Sequence, residues 1–518
     1  MNVRLGLTHP SSGWEQLVQQ EGVSHEVVDV FSSALIQECS LLIVCSALTT
    51  AEREAVQKYL RDGGAVIGYV AHLTGLPGCE SRPGRIEYIV ADHDEIFPDV
   101  HLLDLGVEGA IPREANCLRL DTNNFALYAG ALEGGFAVLL PFDLSKALHD
   151  GDAISKSFYG SLERLPTERV SRVGKGEMRQ LVRRSFELLH RMRGIPYVHL
   201  WYFPEGKENT FAFRIDTDGA PQRDVDELYE IASEHRVGMS WYLDVKSHEQ
   251  WLPWFTGLRG QEIGIHCYEH TTFESTDTNV ASITRARKLM QSAGLRPEGF
   301  TAPFGVWHTA LAAAIDQVGF AYSSEFSYAY DTFPLYPESS GKTYETLQVP
   351  IHPVCIGSLL RIGYTEEQMV AYFQRMVEQK RVRQEPLFFY HHPTHRCWNV
   401  VVELFRSVRK AGIPDITLGD FARWWKHRLS IHLDVRSDEQ NVFVVRANGP
   451  GGSEAWVRIV RPDGREAVVP IEDTIRLDDL TWRPQRLVPP PDDIRRIREF
   501  DPRSALGDLY TRMMRKFT

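Results

Sequence analysis

Between residues 196 and 428 the chain alternates short apolar runs with helical stretches, and this repetition constrains the fold more than any other feature. FAFRID, GMSWYLDV, EIGIH, GFTAPFG, FAYSSEF and PLFFYHHP read as strands or strand ends, with helices such as EEQMVAYFQRMVEQKR between them. Roughly 230 residues of strand and helix units are enough for an α/β barrel. The barrel does not account for the whole chain, because 518 residues exceed one ordinary core.

Residues 1–150 carry a second α/β pattern. VRLGL, EVVDV, LLIVC and AVIGYV read as buried parallel strands. TTAEREAVQKYLRDGG between the last two is a crossover helix, opened by a Thr cap and closed by Gly63 and Gly64. Strand, helix and strand in that order predict a doubly wound sheet. Residues 151–195 read as a helical connector, with Met178, Val182, Phe186, Leu189 and Met192 at helical spacing and Gly194 and Pro196 ending the helix. From 429 to 484, five short runs separated by NGPGGS, PDGR and similar turns predict a small antiparallel β module of sandwich type. Residues 485–518, from PPPDD to MMRKFT, read as an extended tail with room for one helix.

Composition narrows the function. With 57 Lys and Arg against 69 Asp and Glu, the net charge is -12, which argues against nucleic acid as a partner. No run of about eighteen apolar residues is present to span a membrane, and the N-terminus lacks the apolar core of a secretory signal. Seven scattered cysteines without CxxC spacing read as reduced thiols. The expected location is therefore the cytoplasm.

Three constellations carry chemistry. Arg214, Asp216 and Asp218 follow an aromatic strand, and residues two apart on a strand share a face, so both carboxylates can reach one site at its C-terminal end. Asp-x-Asp-Gly is equally a capping or turn sequence. His266 and His270, four apart, fall on one face of a helix or of a strand-to-helix corner and can clamp a metal ion, while Glu269 is turned away. His391, His392 and His395 follow the buried run LFFY, where an imidazole suits general acid catalysis and at least one of the three is expected to be structural. Asp218, His266 and His270 make a mixed oxygen and nitrogen set for one metal, with Asp216 and His392 as base and acid on either side.

This arrangement resembles the polysaccharide deacetylase family (NodB homology, carbohydrate esterase 4) over about residues 196–428. The matching motifs are Asp216 and Asp218, His266 and His270, the TAPFG run from Thr301 to Gly305, His392-Pro393, and DITLGDFARWW as the closing helix. The resemblance implies a distorted (β/α) barrel and a divalent metal, most plausibly Zn2+, held by Asp218, His266 and His270. It further implies Asp216 as the base acting on a metal-activated water, His392 as the acid, and a backbone N–H near Phe304 for the oxyanion. Thr301 stands where many members have an Arg that orients the catalytic acid, so either another residue such as Arg214 substitutes for it or the base is tuned differently. Pro303, Phe304, Trp307, His391 and Arg214 are the substrate-binding candidates. For each of the flanking aromatics Trp201, Tyr202, Trp241, Trp307 and Trp398, core packing is the favoured reading over a sugar-stacking face, and Trp307 is the first choice if one lines the cleft.

Residues 1–150 resemble the class I glutamine amidotransferase, flavodoxin-like fold around YLRDGGAVI and GGFAVLLPFDL. The turn after AVIGYV, where that family places its nucleophilic cysteine, has none, and Cys45 follows a different strand. A non-catalytic role is expected there. The fold expectation is thus α/β multidomain: a doubly wound N-terminal domain, a central distorted barrel and a C-terminal β module. The leading function is metal-dependent de-N-acetylation of an N-acetylated sugar or polysaccharide precursor. A metal-dependent amidohydrolase acting on a small amide or cyclic imide is the second reading, and a non-catalytic scaffold of polysaccharide assembly the third.

Overall fold

The computed structural model of the protein describes residues 2–31, 35–437, 442–448, 454–472 and 474–499. The C-terminal MMRKFT segment and nearly all of the NGPGGS turn lie outside the described residues. The chain's contacts gather into two units. One comprises Met1–Asp150, Val173–Glu208 and Arg423–Pro490, and the other Gly151–Arg172, Asn209–Ala422 and Pro491–Thr518. These lines differ from divisions at 150, 195 and 428: the helix Lys175–Met192 goes with the first unit, and the 22 residues before Val173 go with the second.

The first unit is built on a nine-stranded sheet. Its parallel half runs His25–Val27, Leu5–Thr8, Leu41–Val44, Ala65–Tyr69 and Gly135–Leu140. The helix Thr50–Arg61 crosses between two of these strands and begins in a capping box, with Glu52 N donating to Thr49 Oγ1 and Thr49 N donating to Glu52 Oε2. Four antiparallel strands extend the sheet: Phe125–Leu132, Cys117–Leu120, Ser81–Val90 and Leu102–Pro112. At the turn after Ala65–Tyr69 stand Val70, Ala71 and His72. Cys45 is buried, and burial pushes its thiol up to about 12, which suits packing rather than nucleophilic attack.

The C-terminal strands of this unit form two antiparallel sheets over one apolar core that includes Val435, Phe443, Val457 and Ile459. The second of these sheets takes one edge strand, Tyr197–Leu200, from far earlier in the chain.

The second unit is a curled, all-parallel sheet of seven strands, in the order Leu347–Gln348, Tyr322–Ser323, Gly299–Phe300, Glu262–Cys267, Ser240–Asp244, Phe211–Asp216 and Leu387–His391. The last strand in sequence lies beside the first, as barrel order requires. Between the two ends of the sheet, His352 N donates to Phe388 O at 2.8 Å. Along Phe211–Asp216 the period of two sorts the side chains. Phe211, Phe213 and Ile215 join the apolar layer under the helices, with Val225, Leu228 and Phe405. Arg214 and Asp216 take the opposite, inner face.

That interior is packed and polar in layers. Ser240 Oγ donates to Glu262 Oε2 at 2.7 Å, and the Tyr242 and Tyr322 hydroxyls join each other and Glu262. Gly264 makes room for them, because a Cβ there would stand 2.5 Å from Tyr242 Cε1. Above this filled layer the strand ends carry the candidate site. No helix among the described residues is long and apolar enough to cross a membrane, and all seven cysteines are unpaired.

Candidate metal centre

Asp216 ends its strand almost fully buried. Arg214 Nε donates to its Oδ1 at 2.8 Å, Arg214 Nη2 bonds its Oδ2, and Arg214 Nη1 donates to the Ser324 carbonyl at 2.6 Å. Burial works against the charged carboxylate. The Arg214 guanidinium, with His266 and His392, outweighs it and holds Asp216 below the ordinary carboxylate range. Thr217 anchors the turn that follows, donating its hydroxyl to Tyr242 O and accepting from Asp244 N at 3.0 Å. Asp218 then adopts a left-handed backbone, φ 36, a conformation Asp tolerates better than most residues.

The turn delivers Asp218 between the histidines. Its Oδ1 lies 3.0 Å from His266 Nε2 and 3.2 Å from His270 Nε2, and its Oδ2 lies 3.3 Å from His392 Nε2. Burial opposes ionisation of Asp218, yet the contacts with His266 and His270 hold it far below the usual range. His266 lies on the strand Glu262–Cys267, whereas His270 lies in the loop beyond it, so a strand end and its loop bring the pair together rather than a helix face. Glu269 points elsewhere and pairs with Lys246 at 2.8 Å.

The donor set fits a divalent cation. One ligand atom each from Asp218, His266 and His270 falls within 4.8 Å of the others. Asp218 Oδ1 and His270 Nε2, both buried, nevertheless satisfy no hydrogen bond between them. His266 Nδ1 meets Thr301 Oγ1 at 2.9 Å, which directs its Nε2 lone pair toward the cluster, and the same hydroxyl lies 3.5 Å from Asp216 Oδ1. Thr301 thus ties a ligand histidine to the buried acid, and the guanidinium that pairs with Asp216 comes from Arg214 on the same strand.

His392 follows Leu387–His391. Burial disfavours its charged form, but Cys355 and the carboxylates of Asp218 and Asp216 outweigh burial and push it up to about 9. His391 is the structural member of the trio: it is fully buried, stacked on Phe213 with ring centroids 6.2 Å apart, and its Nε2 meets Arg396 O at 3.1 Å.

A cavity of about 400 Å3 opens over Asp216, Asp218, His266 and His392. Of the substrate-binding candidates only Phe304 lines it; Arg214 lies behind Asp216, and Pro303, Trp307 and His391 are absent from its lining. Trp307 is buried instead, packed on Tyr328 with ring centroids 4.6 Å apart, and its backbone N donates to Ser327 Oγ at 2.6 Å. Trp241 is a core residue, Trp398 bonds Glu227 at 2.8 Å, and Trp201 and Tyr202 belong to the first unit. The lining aromatics are Phe304, Phe326 and Tyr390. Sequence reasoning missed Glu168, Arg169, Cys355, Ser358 and Arg361, all on the lining, which also holds His395 of the histidine trio.

No family model matches the chain, and no curated protein does. Among solved structures it is similar to one described as a polysaccharide deacetylase from Mycobacterium smegmatis, at 18% identity over 44% of this chain and 93% of that one, TM-score 0.38. A second, described in the same terms, from Pseudomonas aeruginosa, shows 14% identity over 43% and 93%, TM-score 0.37. A Puue allantoinase structure shows 12% identity over 43% and 92%, TM-score 0.37.

Proposed function

We propose that the second unit is a metal-dependent hydrolase of non-peptide carbon–nitrogen bonds, removing the acyl group from an N-acetylated sugar or polysaccharide precursor. The observation that carries this reading is the convergence of Asp218, His266 and His270 beside an acid anchored by Arg214 and a histidine on the other side of Asp218. These three residues would hold a divalent cation, Zn2+ by the nature of the donors. When bound, the cation supplies Lewis-acid activation.

The chain's own groups do the rest. Asp216, fixed by two bonds from Arg214, takes a proton from the attacking water. The water oxygen bonds to the acyl carbon and the C–N bond breaks. His392 delivers a proton to the departing nitrogen, so the products are a carboxylic acid and an amine. A backbone N–H near Phe304, which lines the cavity at φ 58, would stabilise the charge that develops on the acyl oxygen. About 400 Å3 is toward the small end for ligand cavities, which favours a single sugar residue or a small amide in the reacting position. The test is hydrolysis of a panel of N-acetylated sugars and small amides by the metal-loaded chain and by His266→Ala. Activity that persists in His266→Ala contradicts the proposal.

A further inference from the structure

The cavity wall facing the candidate metal centre is partly built by an antiparallel hairpin, Ala153–Ser157 with Thr167–Ser171. Its second strand places Glu168 and Arg169 on the lining. This wall is held at several points. Ser171 N donates to Phe326 O at 3.2 Å, Arg498 Nη1 donates to Ser157 O at 2.8 Å, and Arg496 Nη2 donates to Leu162 O at 2.7 Å within the hairpin loop.

The charges on the lining are unevenly matched. Asp216 is taken by Arg214, and Asp218 faces the histidines. Glu168 accepts from Ser358 Oγ at 2.6 Å and from Arg361 Nη2 at 2.8 Å, so its charge is already compensated. Of the two arginines on the lining, Arg361 therefore has a partner. The Arg169 backbone pairs with Ser155 across the hairpin, and its side chain makes no hydrogen bond or ion pair with a described residue. A guanidinium offers a planar fork of donors that matches a carboxylate or phosphate, and a rigid wall lets it bind without first being ordered.

We infer that Arg169 is a specificity residue, and that the substrate is an N-acylated small molecule bearing an oxyanion group, carboxylate or phosphate, seated on the hairpin wall. The inference rests on the hydrolase reading for the position of the reacting bond. Its test is a binding measurement. The full metal-loaded chain carrying Asp216→Asn, which suppresses turnover, is titrated calorimetrically with N-acetylglucosamine, N-acetylglucosamine 6-phosphate and N-acetylmuramic acid.

At least one anionic probe is expected to bind about 10-fold or more tightly than the neutral sugar. Which anionic probe does so identifies the oxyanion. Adding Arg169→Ala should remove the difference and leave the neutral sugar within about 2-fold, and Arg169→Glu should invert it. Equal affinities, no binding of either anionic probe, or a preference that survives Arg169→Ala overturns the assignment. Hydrolysis by the unsubstituted enzyme is scored separately. An Arg169-dependent preference without hydrolysis of any probe retires the hydrolase reading and leaves the anion site standing, and hydrolysis without the preference does the reverse.

Discussion

Replacing Arg214 with Met tests whether the buried ion pair holds the candidate base in place. Arg214 is 1% exposed and Asp216 2%, and the guanidinium supplies two bonds to the carboxylate and one to Ser324 O. Without it, Asp216 keeps Thr301 Oγ1 at 3.5 Å, the outer limit of a hydrogen bond, and a buried carboxylate loses its counter-charge. Breaking a buried pair from one side costs about 3–5 kcal/mol, whereas replacing both partners with apolar groups is often near neutral. Arg214→Met is therefore expected to lower stability by about 3–5 kcal/mol, and Arg214→Met with Asp216→Leu to recover most of that loss. Urea denaturation with EDTA present removes the contribution of bound metal, and hydrogen exchange of the Phe211–Asp216 amides localises the effect. A loss below about 1 kcal/mol in the single variant refutes the reasoning, as does a double variant whose cost is the sum of the two single ones.

Two further perturbations probe the surroundings of the site. Glu325 is fully buried; its Oε1 accepts from Ala302 N at 3.2 Å and its Oε2 has no partner among the described residues, so burial pushes it from the ordinary 4.5 up to about 7. The folded chain then holds this proton more tightly than the unfolded one. The contribution of Glu325 to stability is greatest below pH 4.5, falls as pH rises to about 7 and levels off above, by about 3 kcal/mol at about 1.4 kcal/mol per pH unit. Glu325→Gln should abolish that fall and gain on the natural chain across the same window in denaturation series; a constant difference between the two contradicts it. Thr301→Val keeps the shape but leaves His266 Nδ1 without its partner, and chelator competition should show metal affinity about 10–100-fold weaker, with Thr301→Ser near the natural value. Unchanged affinity in Thr301→Val shows that the hydroxyl does not orient the ring.

The catalytic candidates were legible because their spacing follows from strand geometry. Asp216 and Asp218 lie at and just past one strand end, His266 on a second strand with His270 in its loop, and His392 just past a third; parallel strands bring such ends together. Arg214 was legible as a stand-in for an Arg that orients the catalytic acid, but its bidentate hold on Asp216 was not, because such a contact depends on side-chain direction and not on spacing alone. The hairpin wall was missed because TERVS is short and charged and carries no motif. Cys355 caps a six-residue helix, Ile356–Arg361, that carries Ser358 and Arg361 and is too short for periodicity to mark it. Trp307 follows the core-packing reading favoured for each flanking aromatic, because an aromatic beside a motif is readily a core residue, and here its ring packs on Tyr328. In the first unit, the antiparallel strands escaped notice because Ser81–Val90 is mostly unburied over its first seven residues, where Arg82, Arg85 and Glu87 interrupt the apolar pattern.

The central claim is that Asp218, His266 and His270 hold one divalent metal, and metal stoichiometry of the purified full chain tests it most directly. Elemental analysis after zinc loading and desalting should give about one zinc per chain for the natural sequence and near zero for Asp218→Ala, His266→Ala and His270→Ala, with the fold of each variant verified by circular dichroism. Near-zero zinc in the natural chain, or full occupancy in the three folded variants, would contradict the account.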